Sequence, residues 1–433
     1  MPDAQDEVVE LCRDLIRFES VNDGTGRGKG EREAAEYVAG KLAEVGLEPQ
    51  LFESAPGRAS VVARWEGEDP GRDALLIHGH LDVVPAEPKA WTYDPFAAEV
   101  ADGCVWGRGA VDMLDMDAMV LSVVRDRIRA GRKPPRDVVL AFVADEEAGG
   151  TFGASWLVDN QPQLFEGCTE GISEVGGFSL SVNDDVRLYM IETAQKGMGW
   201  MRLTAEGKAG HGSMLSTDNA VTELCEAVAR LGRHRFPMHL TKTVQRFLAE
   251  VSDAYGVELD PDDLDQVYAV LGPMARIVGA TLRNTANPTM LDAGYKHNVI
   301  PARAHAMVDG RFLPGFEDDF ERELDAVLGP TITREYTHYD IALETEFEGA
   351  LVEAMVAALK AEDPGARPVP YALSGGTDAK SFSRLGIRGF GFAPLRLPGD
   401  LDFSGMFHGV DERVPLDALR FGTRVLDRFL DAC

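Results

Sequence analysis

The period of the apolar positions changes several times along this chain. Over residues 6–18 and again over 31–45 they recur at helical spacing, and Gly46 stops the second run. Residues 60–65 and 74–78 are instead nearly continuous in apolar side chains and predict strands. A helical pattern over 116–130 follows, and then Asp137 to Ala144, DVVLAFVA, predicts another buried strand. Helices alternating with strands that are apolar on both faces imply an α/β sheet covered by helices on each side. In open sheets of that kind ligands bind beyond the carboxyl ends of the strands, so a site is expected there.

The texture shifts after Gln195-Lys196-Gly197. Residues 200–206 roughly alternate, 219–231 predict a helix, 275–282 and 304–310 predict strands, 317–328 a helix and 331–336 a last strand. This β-α-β-β-α-β order is that of a ferredoxin-like sandwich. The expected organisation is therefore a first domain built from 1–196 and 341–433, resumed with a helix over 349–359, and a second domain inserted at 197–340. Residues 233–272 give no pattern beyond a suspicion of helices. A chain of 433 residues exceeds what one core normally supports, which agrees with two domains.

Charge narrows the range of partners. Forty-three Lys and Arg against seventy-two Asp and Glu leave a net charge of −29, which repels phosphate backbones and anionic headgroups, so neither nucleic acid nor a membrane surface is expected as a partner. An anionic substrate would then need local positive charge, from metal ions or a particular arginine. The five cysteines are scattered without a CxxC pair and read as reduced thiols. The acidic, amphipathic start MPDAQDEVVELCRDLIRF lacks the features of a signal peptide, and no apolar run is long enough to span a bilayer, so a cytoplasmic location is expected.

Candidate chemistry begins at LLIHGHLD, residues 75–82. Two residues apart in extended backbone, His80 and Asp82 share a face, and a carboxylate there can fix the tautomer of a metal-binding imidazole. Read alone, the pair equally suits a strand end bonded to loop backbone. Asp112, in GRGAVDM before a helical pattern, is by position an N-cap. The two glycines of that stretch lack the third glycine and the preceding strand of a dinucleotide loop. Asp145-Glu146-Glu147 closes a buried strand, where three adjacent acids repel one another unless a cation compensates them; a solvated acidic loop is the other reading. Glu174 in SEVGG and His408 in FHGVD complete the set.

Taken together, GHLDVVP, GRGAVDM, ADEEAGG, SEVGG and the late HG resemble, in order and approximate spacing, the two-zinc exopeptidases that include aminoacylases, glutamate-releasing carboxypeptidases and succinyl-diaminopimelate desuccinylase. The resemblance spans nearly the whole chain and implies a zinc-exopeptidase-like mixed sheet between helices, with an inserted ferredoxin-like α+β lid and dimerisation domain. It also implies that Asp112 bridges two zinc ions, one held also by His80 and Glu174 and the other by Glu147 and His408, with Co2+ or Mn2+ as substitutes. Asp82 would orient His80, Glu146 would be the general base, and the peptide after Asp112 would be cis. Imidazole and carboxylate donors without thiolate suit such a centre independently. Where many relatives have Lys-Gly after the Asp-Met pair, this chain has Leu114-Asp115. Neither position is a ligand, so the metals are expected to survive, with packing or substrate preference altered.

The resemblance further implies that His211, in KAGHGS, crosses into a partner subunit's site to stabilise the oxyanion, which calls for a homodimer built through the lids. Without it, His211 reads as a surface histidine in a flexible loop. Asn298 and Arg311 resemble lid residues that contact substrate; a guanidinium suits bidentate capture of a carboxylate, while a surface salt bridge is the competing account of Arg311. Amides of the turn-forming SGGTD stretch, at Gly376 and Thr377, would line the same anion site. The resulting expectation is hydrolysis of an N-acyl amino acid or of the C-terminal residue of a short peptide. Dipeptidase or desuccinylase action and a catalytically silent metal-bound binding protein are the alternatives; an intact Glu146 disfavours the last.

Overall fold

The computed structural model describes residues 3–26, 28–183, 185–260, 263–271 and 275–433. Its principal sheet has ten strands. At its centre, Ala74–His80 lies between Val138–Val143 and Cys168–Ser173, parallel to both. Antiparallel neighbours extend the sheet on the far side of Val138–Val143, and Arg388–Gly391, Arg187–Gln195 and Ala366–Leu373 extend it on the other.

The continuous apolar runs are explained by burial on both faces. Leu75 and Ile77 join Val138, Leu140 and Phe142 in one core, whereas Leu76 joins Val139, Ala141 and Val143 in the other. Helices Ala4–Arg17, Leu114–Arg129 and Leu416–Phe429 cover the first face. Ala154–Asn160 and Ala379–Ser383 cover the second. Because three adjacent central strands run in the same direction, residues 80, 144 and 174 all arrive at the same edge of the sheet. That edge carries the site, as the pattern of strands predicts.

A second, four-stranded antiparallel sheet contains, in spatial order, Thr285–Ala293, Arg303–Phe312, Gly197–Glu206 and Ile332–Asp340. Helices Ala220–Arg233 and Glu317–Leu328 pack on it around a separate core that includes Met201, Leu203, Leu224, Phe312, Phe320 and Leu324. The chain thus follows the expected β-α-β-β-α-β path, with two corrections. Residues 275–282 are not a strand: Ala275–Thr281 is helical, with Val278 and Leu282 buried four residues apart. A short run containing β-branched residues satisfies both periods, and packing against the larger body selects the helix. The insertion is also not one body. Helices Lys242–Tyr255, Leu264–Leu271 and Ala275–Thr281 return to the first core through Val244, Phe247, Val251, Val267 and Val278, so the chain crosses between the two bodies more often than a single insertion requires.

Candidate metal centre and substrate cleft

Seven of the residues singled out from sequence converge at the carboxyl edge of the central strands. His80 ends its strand, Asp145-Glu146-Glu147 follows the next one, and Glu174 follows the third. Asp112 precedes helix Leu114–Arg129 across a cis peptide to Met113, as the resemblance implies. His408 stands in an irregular segment with φ of +56°.

His80 Nε2 is buried and makes no hydrogen bond among the described residues, yet it faces Asp112 Oδ1 at 3.3 Å and Glu174 Oε2 at 3.5 Å. The other oxygen of Asp112 lies 3.3 Å from His408 Nε2, which is 3.0 Å from Glu147 Oε2. Donor atoms of His80, Asp112 and Glu147 come within 4.8 Å of one another, and so do those of His80, Glu146 and Glu174. Glu146 therefore shares the His80 and Glu174 side of the cluster, and Glu147 the His408 side.

The electrostatics call for cations. Burial, and then the Glu174 carboxylate, push the carboxyl of Glu146 well above its usual range; burial also raises Glu174, against the opposing pull of His80. The carboxylates of Asp112 and Glu147 raise His408 to about 10. Burial opposes it, yet the imidazoles of His408 and His80 hold Asp112 below the ordinary carboxylate range. Four acids around two imidazoles carry more negative charge than those rings can balance, and an orphaned buried imidazole nitrogen aimed at two carboxylates is the arrangement a divalent ion completes. The residues present fit a pair of such ions, with Asp112 able to offer one oxygen to each.

Asp82 lies behind the cluster in a broader role than sequence gives it. His80 Nδ1 is closest to the main-chain oxygen of Asp82, at 2.9 Å, and 3.6 Å from its carboxylate. That carboxylate accepts the backbone N–H groups of Glu146 and Glu147, each at 3.1 Å, and Asn22 Nδ2 at 2.9 Å. It therefore fixes the turn that presents Glu146 and Glu147, as well as the His80 imidazole. Asn22 also donates to Asp145 Oδ1 and accepts from Arg58, which pairs with buried Glu31. None of these supporting residues stands out in sequence, because their partners are 27 to 123 positions away. Leu114 and Asp115, the departure from the common pattern, are both buried in the helix after Asp112, and burial raises the Asp115 carboxyl strongly.

The opposite wall comes from the smaller sheet and the SGGTD turn. A cleft of about 240 Å³ is lined by Glu146, Glu147 and His408 on one side and Trp200, Arg311 and Gly376-Thr377 on the other. Arg311 is held by Asp309, Nε to Oδ1 at 2.6 Å, and Thr377 exchanges hydrogen bonds with Gln195 at 2.8 and 2.9 Å. A larger hollow elsewhere, bordered by Arg396 and Arg413, contains none of these residues. His211 and Asn298 are not brought into the cleft of their own chain. Both are exposed and adjoin through the Gly212 N–H to Asn298 O hydrogen bond at 2.9 Å, at the end of the smaller sheet's domain.

A mixed sheet with an acid and imidazole cluster at its carboxyl edge defines the class: a metal-dependent hydrolytic enzyme. The chain belongs to peptidase family M20/M25/M40, whose model matches residues 76–432. It is 26% identical to aminoacylase-1 of Sus scrofa over 441 residues, covering 98% of this chain and 94% of that protein. Its fold is similar to an M20 family metallo-carboxypeptidase from Sulfolobus solfataricus, with a TM-score of 0.74, 18% identity and 99% of each chain covered. It is similar as well to a dinuclear metal-binding M20 peptidase of Bacillus subtilis, with a TM-score of 0.60, 13% identity, and 99% and 97% of the two chains covered.

Proposed function

We propose that the protein is a dizinc amidohydrolase that releases an amino acid with a free α-carboxylate from an N-acyl amino acid or from the C-terminus of a short peptide. The observation that carries this reading is Asp112 offering its two oxygens to two different imidazoles while Glu146 stands beside them, its carboxyl pushed well above the usual range by burial and the Glu174 carboxylate. His80 and Glu174 would hold one ion, His408 and Glu147 the other, and Asp112 both. When bound, such ions polarise the scissile carbonyl and make water acidic enough to attack at neutral pH. Glu146 takes the proton of the attacking water and returns it to the leaving amine. Asp82 keeps that carboxylate in place through the backbone of its turn.

Substrate is held from the facing wall. Arg311, released from Asp309, pairs with the α-carboxylate, and the amides of Gly376 and Thr377 share its charge; this gives the cleft of a chain of net charge −29 a local positive field. His211 acts from a partner subunit, with Asn298 next to it. The supporting observation is an open edge strand, Thr285–Ala293, on which Met290 and Leu291 are 66% and 62% exposed, with exposed Tyr295 just beyond its end. Apolar side chains on an unpaired sheet edge suit pairing with a second copy. A cytoplasmic location is supported by five unpaired cysteines. Assay of apoenzyme reloaded with Zn2+, Co2+ or Mn2+ against N-acyl amino acids, N-succinyl amino acids and dipeptides tests the reading. Release of free amino acid is expected, and its absence from every reloaded form would overturn it.

A further inference from the structure

The two sides of the metal cluster are not equally supported. His80 terminates a fully buried strand and Glu174 directly follows another, so the backbone that carries them is fixed by the central sheet. Asp112 and His408 lie instead in irregular segments some 300 residues apart in sequence, and the His408 side chain is 56% exposed. One buried side chain that takes no part in the reaction joins these two segments.

Glu412 is fully buried. Its Oε1 accepts the Val111 N–H at 2.8 Å, and its Oε2 accepts the Gly109 N–H at 3.1 Å and Arg108 Nη1 at 2.7 Å. Its main-chain carbonyl accepts the Gly107 N–H at 3.0 Å. The second terminal nitrogen of Arg108 donates to the carbonyl of Gly409, next to His408, at 2.8 Å. The guanidinium is further confined 5.1 Å from the Trp91 ring. One carboxylate thus fixes the run that delivers Asp112, and the arginine it pairs with fixes the residue after His408. In this charge-assisted network, excluded from water, both terminal nitrogens of Arg108 and the N–H groups of Gly109 and Val111 are satisfied together, which ties the two segments to one arrangement.

We propose that Glu412 is a positioning residue that, through Arg108, sets His408 against Asp112, so that occupancy of the His408 and Glu147 side depends on it while the His80 and Glu174 side does not. The proposal rests on the dinuclear reading given above. Glu412→Gln keeps the side chain's shape but replaces one acceptor oxygen with an NH2 group, so that either the Val111 N–H or the Gly109 N–H and Arg108 lose their acceptor, and the charge that pairs with the guanidinium is removed.

Calorimetric titration of the metal-free full-length protein with Zn2+ reads the effect directly. Wild type is expected to bind two ions per chain. In Glu412→Gln one site should keep its affinity and the second should weaken by about 10- to 100-fold, the range seen when groups supporting metal ligands are lost. Adding Glu147→Gln, which removes a ligand from the weakened side, should cost nothing further at the retained site, whereas adding Glu174→Gln should abolish tight binding. Turnover at saturating Zn2+ should recover toward wild type, as a positioning role requires. If Glu412→Gln does not fold, Arg108→Lys carries the test, because a single ammonium lacks the rigid fork that sets one nitrogen on Glu412 and another on Gly409 O. Asp363→Asn, which breaks a buried ion pair remote from the cluster, is the control for general destabilisation and should leave both sites intact. Two unaltered sites, or two sites weakened equally, would overturn the proposal. A wild-type chain that binds fewer than two ions would instead overturn the dinuclear reading.

Discussion

Asp112 stands between His80 and His408 with one carboxylate oxygen 3.3 Å from each imidazole Nε2. No other residue of the cluster faces both rings at these distances among the described residues, which makes this carboxylate the point at which the two halves of the centre meet. Asp112→Ala is expected to bring the metal content of the purified protein below two ions per chain and turnover to background. Elemental analysis beside an activity assay checks both. The wild-type protein should also lose thermal stability on chelation and regain it on reloading, since an ion that binds only the folded chain at 100 times its dissociation constant contributes about 2.7 kcal/mol.

Glu146 is separated from the ligands by what its loss should do. Glu146→Ala is expected to lower kcat by about 10²- to 10⁴-fold, the usual contribution of a general base, with two ions still bound. Loss of metal in parallel with activity would make it a ligand instead.

His211 gives a prediction that involves two chains. His211→Ala should reduce kcat by about 10²- to 10³-fold with metal content unchanged. If the histidine serves the neighbouring subunit, mixing inactive His211→Ala with inactive Glu146→Ala should restore activity, because one of the two sites in a mixed dimer is then intact. Mixtures that stay inactive after subunit exchange has been verified would confine the residue to its own chain.

The exposed edge strand makes the same assembly testable without catalysis. A Met290→Lys, Leu291→Lys double variant is expected to elute as a monomer while retaining its far-ultraviolet dichroism, because charge on an edge strand opposes strand pairing. Light scattering coupled to size exclusion gives the mass directly.

Acid sensitivity has an identifiable source outside the centre. Arg187 grips Asp363 through two nitrogens, and Tyr189 and Gly365 add further hydrogen bonds, which together depress the Asp363 carboxyl to about 2. A folded-state value below the unfolded one means that this contribution is present above about pH 4 and is lost as the pH falls toward 2, with an amplitude on the order of 1–2 kcal/mol. In Asp363→Asn the thermal midpoint should be lower at neutral pH, and its decline between pH 4 and 2 should be shallower than in wild type.

Sequence alone determined the elements whose apolar period is unambiguous and the polar residues that end them. LLIHGHLD and DVVLAFVADEE announce buried strands that deliver His80 and Glu146-Glu147 at their carboxyl ends, because a strand covered on both faces has no other place for polar groups. The order of the short motifs supplied the family. Tertiary structure decided what depends on partners distant in the chain. It made Ala275–Thr281 a helix and returned three helices of the insertion to the first core, since a short apolar run takes its form from the surface it packs on. It gave Asp82 its hold on the Glu146 turn, and it made Glu412 the link between segments some 300 residues apart. An acidic side chain looks the same in sequence whether it meets water or a buried guanidinium; only the fold brings Arg108 to Glu412.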